Sequence, residues 1–169
     1  MSAPAVARRW RQSTRVPLAA LLATCLVVHA AVAPHLAVRG MPPDVLLVAV
    51  VAVAAVRGER IGAAFGFAAG LGADVFLATP LGTSALAYTL LGHTLGGRHE
   101  LRRSMLLAFA GVIAGRLMTA ATATALGGVP FPEPAGLLRI LGVAALSAPL
   151  GPPTVALVRR ISSAGATRR

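Results

Sequence analysis

Two charged side chains interrupt long apolar runs of this sequence, where a charge is costly. Asp74 lies in the run 61–78 and Arg116 in the run 105–126. A charge at the centre of a membrane helix costs about 2.5–3.5 kcal/mol on insertion scales, so both side chains must face protein or water. Counted along their helices at about 1.5 Å per residue, they lie at similar depths. We predict a buried ion pair between them; proton or ion translocation, separate partners and snorkelling are the alternatives.

Other residues that could do chemistry are too few and too scattered to form a recognisable centre. No two of the four histidines, His29, His35, His93 and His99, are three or four residues apart, which argues against a helical metal site. Cys25 is the single cysteine, so no intrachain disulfide is expected. Neither a GxSxG elbow nor a phosphate-binding glycine loop is present. We therefore expect no enzyme activity, metal or cofactor.

The composition places most of the chain in lipid. It has 169 residues, of which 56% are hydrophobic and 12% charged, with a mean hydropathy of +0.77. A soluble domain of this length needs more polar surface than these residues supply. The sequence predicts an all-α integral membrane bundle of six transmembrane helices, one domain over residues 16–158, between a basic N-terminus, 1–15, and a basic tail, 159–169. The apolar runs cover 16–38, 41–56, 61–78, 83–97, 105–126 and 137–158.

The arginines predict how the bundle is oriented. With the N-terminus inside, 13 arginines lie in inner segments, Arg39 and Arg139 lie outside, and Arg116 lies within the membrane. Arginine accumulates on the cytoplasmic side, so both termini are expected in the cytoplasm and the protein in the plasma membrane. The first run is interpreted as an anchor rather than a signal peptide because Pro34 follows the candidate cleavage pattern. The net charge of +11 is thereby assigned to membrane lipid and not to nucleic acid.

Small residues recur four apart on three of the predicted helices. This spacing presents a flat stripe that allows helix backbones to approach closely in lipid. The stripes serve either packing within this bundle or contact with the membrane helix of a partner. They comprise Gly62, Gly66 and Gly70, then Gly92 and Gly96, then Gly111 and Gly115.

Three segments between residues 43 and 96 resemble the rod shape-determining protein MreD family. The first is Pro43-Asp44 followed by Val-Leu-Leu, at the predicted start of the second helix near Pro42. The second is the glycine-rich stretch that ends in Asp74. The third is Pro80-Leu81-Gly82, followed by residues 85–88 and Gly92. Beyond residue 97 the resemblance is limited to hydropathy.

The resemblance implies a non-enzymatic membrane scaffold of the bacterial elongation complex. The family's partner is MreC, whose single membrane helix would pack on the bundle. The complex acts with MreB, RodA and a class B penicillin-binding transpeptidase to position lateral peptidoglycan synthesis and control cell shape. The family's fold is also similar to the substrate-capture subunits of energy-coupling-factor transporters. Vitamin capture is therefore the alternative function, although the predicted outer segments offer few polar groups for such a ligand.

Overall fold

The structure, a computed structural model, describes residues 17–77, 81–96, 104–125 and 132–164. The regular structure in these ranges is helical and contains no β-strand, which confirms the all-α prediction; an isolated antiparallel bridge joins Val38 and Met41. A short 3-10 turn, Ala148–Leu150, separates the last two helices. The helices are α1 (Pro17–Leu36), α2 (Val45–Arg57), α3 (Glu59–Leu77), α4 (Thr83–Thr94), α5 (Ser104–Ala125), α6 (Pro134–Ser147) and α7 (Gly151–Ala164).

Helix α2 is the centre of the bundle. Residues 46–55 are each at most 5% exposed, and α3, α4, α5 and α7 pack around this helix. Its sequence is apolar on every side, and a helix of that kind is stable only when other helices or lipid surround it completely. The polar side chains of the surrounding helices are therefore described by their positions around α2.

The start of α2 differs from the sequence-based expectation. The helix begins at Val45, with Asp44 as its N-cap, and not at Pro42. A tight turn precedes it, in which Val38 and Met41 exchange backbone hydrogen bonds of 3.3 and 3.0 Å. Pro43 and Asp44 are already buried, so non-helical backbone enters the bundle. Such backbone is tolerated at membrane depth only where protein covers it.

Three helical segments of the described chain are long and apolar enough to cross a membrane. They are Pro17–Leu36, Met105–Ala125 and Pro134–Ser163, whereas Val45–Arg57 is a shorter apolar helix. At about 1.5 Å per residue, 13 residues extend about 20 Å, less than the ~30 Å hydrocarbon core. The late start of α2 explains its shortness, because the preceding residues reach the bundle interior as non-helical chain.

The last helical segment is interrupted where its prolines predict a break. The 3-10 turn between α6 and α7 contains Pro149, whose ring cannot be accommodated in a regular helix interior. Helix α7 then continues through Ala164. Arg159 and Arg160 consequently lie on a helix, with exposed side chains, although the sequence placed them at the start of the basic tail.

Candidate functional site

Asp44 is the centre of the most polar part of the bundle interior. Its side chain is fully buried, and Oδ1 accepts a 3.1 Å hydrogen bond from the Leu47 backbone N–H. Its own N–H donates to Ser147 Oγ on α6 at 2.7 Å, and that hydroxyl donates to the Val143 carbonyl at 2.7 Å. Asp44 therefore caps the positively polarised start of α2 and links it to α6.

The structure gives Arg116 a different partner from the predicted one. Arg116 Nη2 lies 2.7 Å from Asp44 Oδ2, so the ion pair joins α5 to the start of α2. The Arg116 side chain is 33% exposed, whereas that of Asp44 is not exposed at all. The predicted pair with Asp74 is replaced by this one.

The physical reason for the correction is that depth along two helices does not determine which sides face each other. Helix α5 packs mainly on α6, α4 and α2, whereas α3 packs mainly on α4 and α2. The sequence assigned Asp44 to the first turn of a helix that starts near Pro42. Because Asp44 is instead buried inside the bundle, it meets Arg116 part-way along α5.

An imidazole side chain approaches the same carboxylate from α1. His29 Nδ1 lies 4.0 Å from Asp44 Oδ1, and the His29 side chain is only 11% exposed. This distance is too long for a direct hydrogen bond. The contact nevertheless brings α1 to Asp44, whose carboxylate is also reached by α5 and whose backbone N–H is bound by α6, so four helical elements meet around Asp44.

Asp74 has a separate role at the start of α4. It is 1% exposed and accepts from the backbone N–H groups of Gly82 at 2.8 Å, Ser84 at 3.0 Å and Ala85 at 3.4 Å. These amides have no partner within their own helix, and the Asp74 carboxylate supplies one. An acid on α3 thereby fixes the turn into α4.

Leu81 and Gly82 of the Pro80-Leu81-Gly82 segment are part of that turn. Pro80 lies outside the described residues. Leu81 is 71% exposed, and Gly82 has φ +99°, a left-handed conformation that a residue with a side chain adopts only at a cost. Gly82 is thus required by the backbone of the turn that Asp74 caps.

The glycines of α3 and α4 face each other. A Cβ built on Gly66 would overlap the carbonyl group of Tyr88, one on Gly70 would overlap the backbone at Ser84 and Ala85, and Gly62 and Gly92 oppose one another. Gly96 likewise lies against the Glu59 backbone. The stripes were expected to serve either packing within the bundle or contact with a partner's helix. In the structure these glycines pack within the bundle.

The glycines of α5 face the central helix. A Cβ on Gly111 would overlap the Val51 side chain, and one on Gly115 would lie 2.5 Å from Leu47 Cδ2. Gly115 immediately precedes Arg116, so the close approach of α5 to α2 brings the guanidinium within reach of Asp44.

The buried carboxylates and Arg116 hold the helices of the bundle together. Each buried carboxylate accepts from the N-terminus of a helix, and Arg116 compensates the charge of Asp44. Within the described ranges, no group of three His, Cys, Asp or Glu residues has a geometry that could hold a metal ion. The site is best described as a polar junction, named here the Asp44 junction, of His29, Asp44, Arg116 and Ser147.

Comparison with protein-family models shows which family the chain belongs to. The model of the rod shape-determining protein MreD family matches residues 11–127, well over half of the chain. The chain belongs to the MreD family. This confirms the resemblance found in the sequence, and it makes the chain a membrane protein of a family that determines cell shape rather than of a known enzyme family.

No curated protein and no solved structure matches this MreD-family chain. The expected similarity to substrate-capture subunits of energy-coupling-factor transporters is therefore without support. Asp44, Asp74 and Arg116 all lie within the residues that the family model matches, whereas α6, with Ser147, lies beyond them.

Two members of the junction of this MreD-family protein were not identified from sequence. Ser147 was one of two hydroxyl residues in the proline-interrupted run 137–158, and nothing in its neighbours marked it. His29 was considered only as a metal ligand. The signal that could have found it is its position in the first apolar run, where a polar ring needs a buried partner.

Proposed function

We propose that this protein is a non-catalytic membrane scaffold of the rod complex. It binds an MreC-like single-span protein and acts with MreB, RodA and a class B penicillin-binding transpeptidase to position lateral peptidoglycan synthesis. The observation that carries the proposal, beside the family assignment, is the use of the buried charges. Asp44 and Asp74 cap α2 and α4, so both are engaged in holding helices in place.

We further propose that the bundle crosses the plasma membrane six times with both termini in the cytoplasm. The distribution of arginines supports this topology, since inner segments carry 13 of them. The described chain has six helical segments when α6 and α7 are counted as one. Reporter fusions after residues 40, 58, 81 and 164 test it: the first and third should report outside and the other two inside.

The surface proposed for the MreC-like helix is a ridge on α3, away from its glycines. The ridge consists of Phe67, Leu71 and Val75, which are 53%, 40% and 65% exposed and recur four residues apart on one face of the helix. The glycine face is excluded because α4 occupies it. A family interface should also lie within residues 11–127, as this ridge does.

Copurification from native membranes in mild detergent tests the scaffold and its surface together. Replacing the three ridge residues by alanine should reduce recovery of the MreC-like protein several-fold. A matched control replaces Leu137, Leu138 and Leu141 of α6, which are 37%, 69% and 45% exposed but lie outside the family match. Equal recovery with both variants would remove the α3 ridge from the proposal.

Mass spectrometry of the copurified proteins separates the scaffold from vitamin capture. Cell-wall synthases together with an MreC-like protein are the expected result. A pair of ATPases with a coupling membrane subunit, and thermal stabilisation by a vitamin, would contradict the scaffold.

A further inference from the structure

Three buried polar atoms of the Asp44 junction have no hydrogen-bond partner among the described residues. They are His29 Nδ1, Asp44 Oδ2 and Arg116 Nε. They belong to α1, to the start of α2 and to α5, and they converge on one carboxylate. Buried polar atoms are nearly always hydrogen-bonded to protein or to ordered water, so three in one place require an explanation.

Among the described residues, no protein group completes the hydrogen bonding of these atoms. Arg116 Nη2 is 2.7 Å from Asp44 Oδ2, and a carboxylate oxygen with one such contact still has a lone pair that can accept a further hydrogen bond. His29 Nδ1 stays 4.0 Å from Asp44 Oδ1. A polar contact longer than about 3.5 Å is typical of groups that are joined through water.

The backbone of α1 holds His29 in this position. Residues Val28–Val32 form a π-helical turn, in which the Ala33 N–H donates to the Val28 carbonyl, five residues earlier. Pro34 follows in a 3-10 turn, Ala33–Leu36. Proline lacks an N–H and disturbs the preceding helical turn, and π turns recur at functional positions in helices. This backbone fixes where His29 leaves α1, and its side chain is only 11% exposed.

We propose that the junction binds a water molecule that bridges His29, Asp44 and Arg116. The three atoms are complementary to water: the carboxylate oxygen accepts, the guanidinium N–H donates, and the imidazole nitrogen does either, depending on its tautomer. Two to four polar partners are what a buried water needs. The bridge joins α1 to α2 and α5, and it does not depend on the proposed scaffold function.

The probe for this site is water itself, observed by nuclear magnetic resonance. The chain contains four histidines, so selective labelling with 15N-histidine gives few imidazole signals; a His29→Asn variant assigns that of His29. In lipid bilayers, magnetisation transferred from water should reach the His29 ring about as fast as the exposed His35 and His93 rings. A second sample labelled with 15N-valine gives the dry reference, the amide of the fully buried Val50.

Two variants test whether Arg116 takes part. Arg116→Lys keeps the positive charge but removes Nε, and it should lower the transfer to His29 several-fold. Thr119→Val, one turn further along α5, removes a hydroxyl that donates to the Gly115 carbonyl and should leave the transfer unchanged. A His29 ring as dry as the Val50 amide in the unmodified chain would overturn the proposal. So would identical transfer in both variants, since the water would then not contact Nε.

Discussion

Arg116 lies against Asp44, with Nη2 2.7 Å from Oδ2, and this contact connects α5 to the cap of the central helix. The pair compensates the charge of each of the two side chains. The charge of Arg116 is compensated inside the membrane, and the carboxylate that caps α2 is compensated in turn. Breaking a buried pair leaves one charge without its counterpart, which costs more than the pair itself contributes.

A double-mutant cycle between Asp44→Asn and Arg116→Gln should reveal strong coupling. Asparagine keeps an oxygen for the Leu47 N–H, so the change removes the charge but not the cap. We expect each single variant to lower the free energy of unfolding by about 2–3 kcal/mol, a reduced value because Arg116 is partly exposed. The double variant should be more stable than the sum of the two losses predicts. Unfolding in mixed micelles measures all four proteins.

The control cycle combines Asp74→Asn with Arg116→Gln. Because the Asp74 carboxylate bonds to the amides of α4, its loss should add to that of Arg116. Coupling of more than about 0.5 kcal/mol between Asp74 and Arg116 would contradict the assignment and restore the pair predicted from sequence.

The Asp74–Arg116 pair was predicted from sequence and the Asp44–Arg116 pair was not, because a sequence determines depth along a helix but not which helices are neighbours. Distance along a helix follows from the residue count, so the depths of Asp74 and Arg116 could be predicted. The direction of each side chain around its helix, and the identity of the neighbouring helix, depend on tertiary packing. Asp44 was assigned to the end of a span, but α2 begins inside the bundle because non-helical chain precedes it. Periodicity does not predict such a segment.

The glycine stripes illustrate the same limit. Their four-residue spacing predicts close backbone approach, and the structure has such approach at Gly66 and Gly92. The spacing carries no information on which helix makes the approach. The kink near Pro149 was predictable because the cause is local: a proline alters the helix that contains it, whatever packs around it.

Replacing Asp74 by alanine should loosen the start of α4. Three backbone N–H groups would lose an acceptor, and a buried group left without one costs about 1–3 kcal/mol. Asp74→Asn, which keeps one oxygen, should have a smaller effect. Amide hydrogen exchange measures the change directly, and faster exchange should be confined to Ser84, Ala85 and their neighbours. Uniform acceleration over the whole bundle would indicate a general loss of stability instead.

Gly66→Ala should destabilise the protein, whereas Gly72→Ala should be tolerated. At Gly66 the new Cβ meets the Tyr88 backbone, which can move only if α3 and α4 separate; overpacking of this kind costs about 1–3 kcal/mol. At Gly72 the Cβ would lie 2.7 Å from Leu26 Cδ2, the end of a side chain that can rotate. Thermal unfolding in detergent compares the two. Equal midpoints would mean that the α3–α4 interface yields to an added methyl group.

Ser147→Ala should cost more than Ser162→Ala, although both hydroxyls bond to the carbonyl four residues earlier, at 2.7 Å each. Only Ser147 Oγ also accepts, from the Asp44 N–H. Its removal leaves that N–H buried without an acceptor, at a cost of about 1–3 kcal/mol, whereas the Ser162 change removes a local bond of little consequence. Unfolding free energies of the two variants measure the difference. Equal values would mean that α6 does not contribute to holding the start of α2, and the Asp44 junction would then comprise α1, α2 and α5 alone.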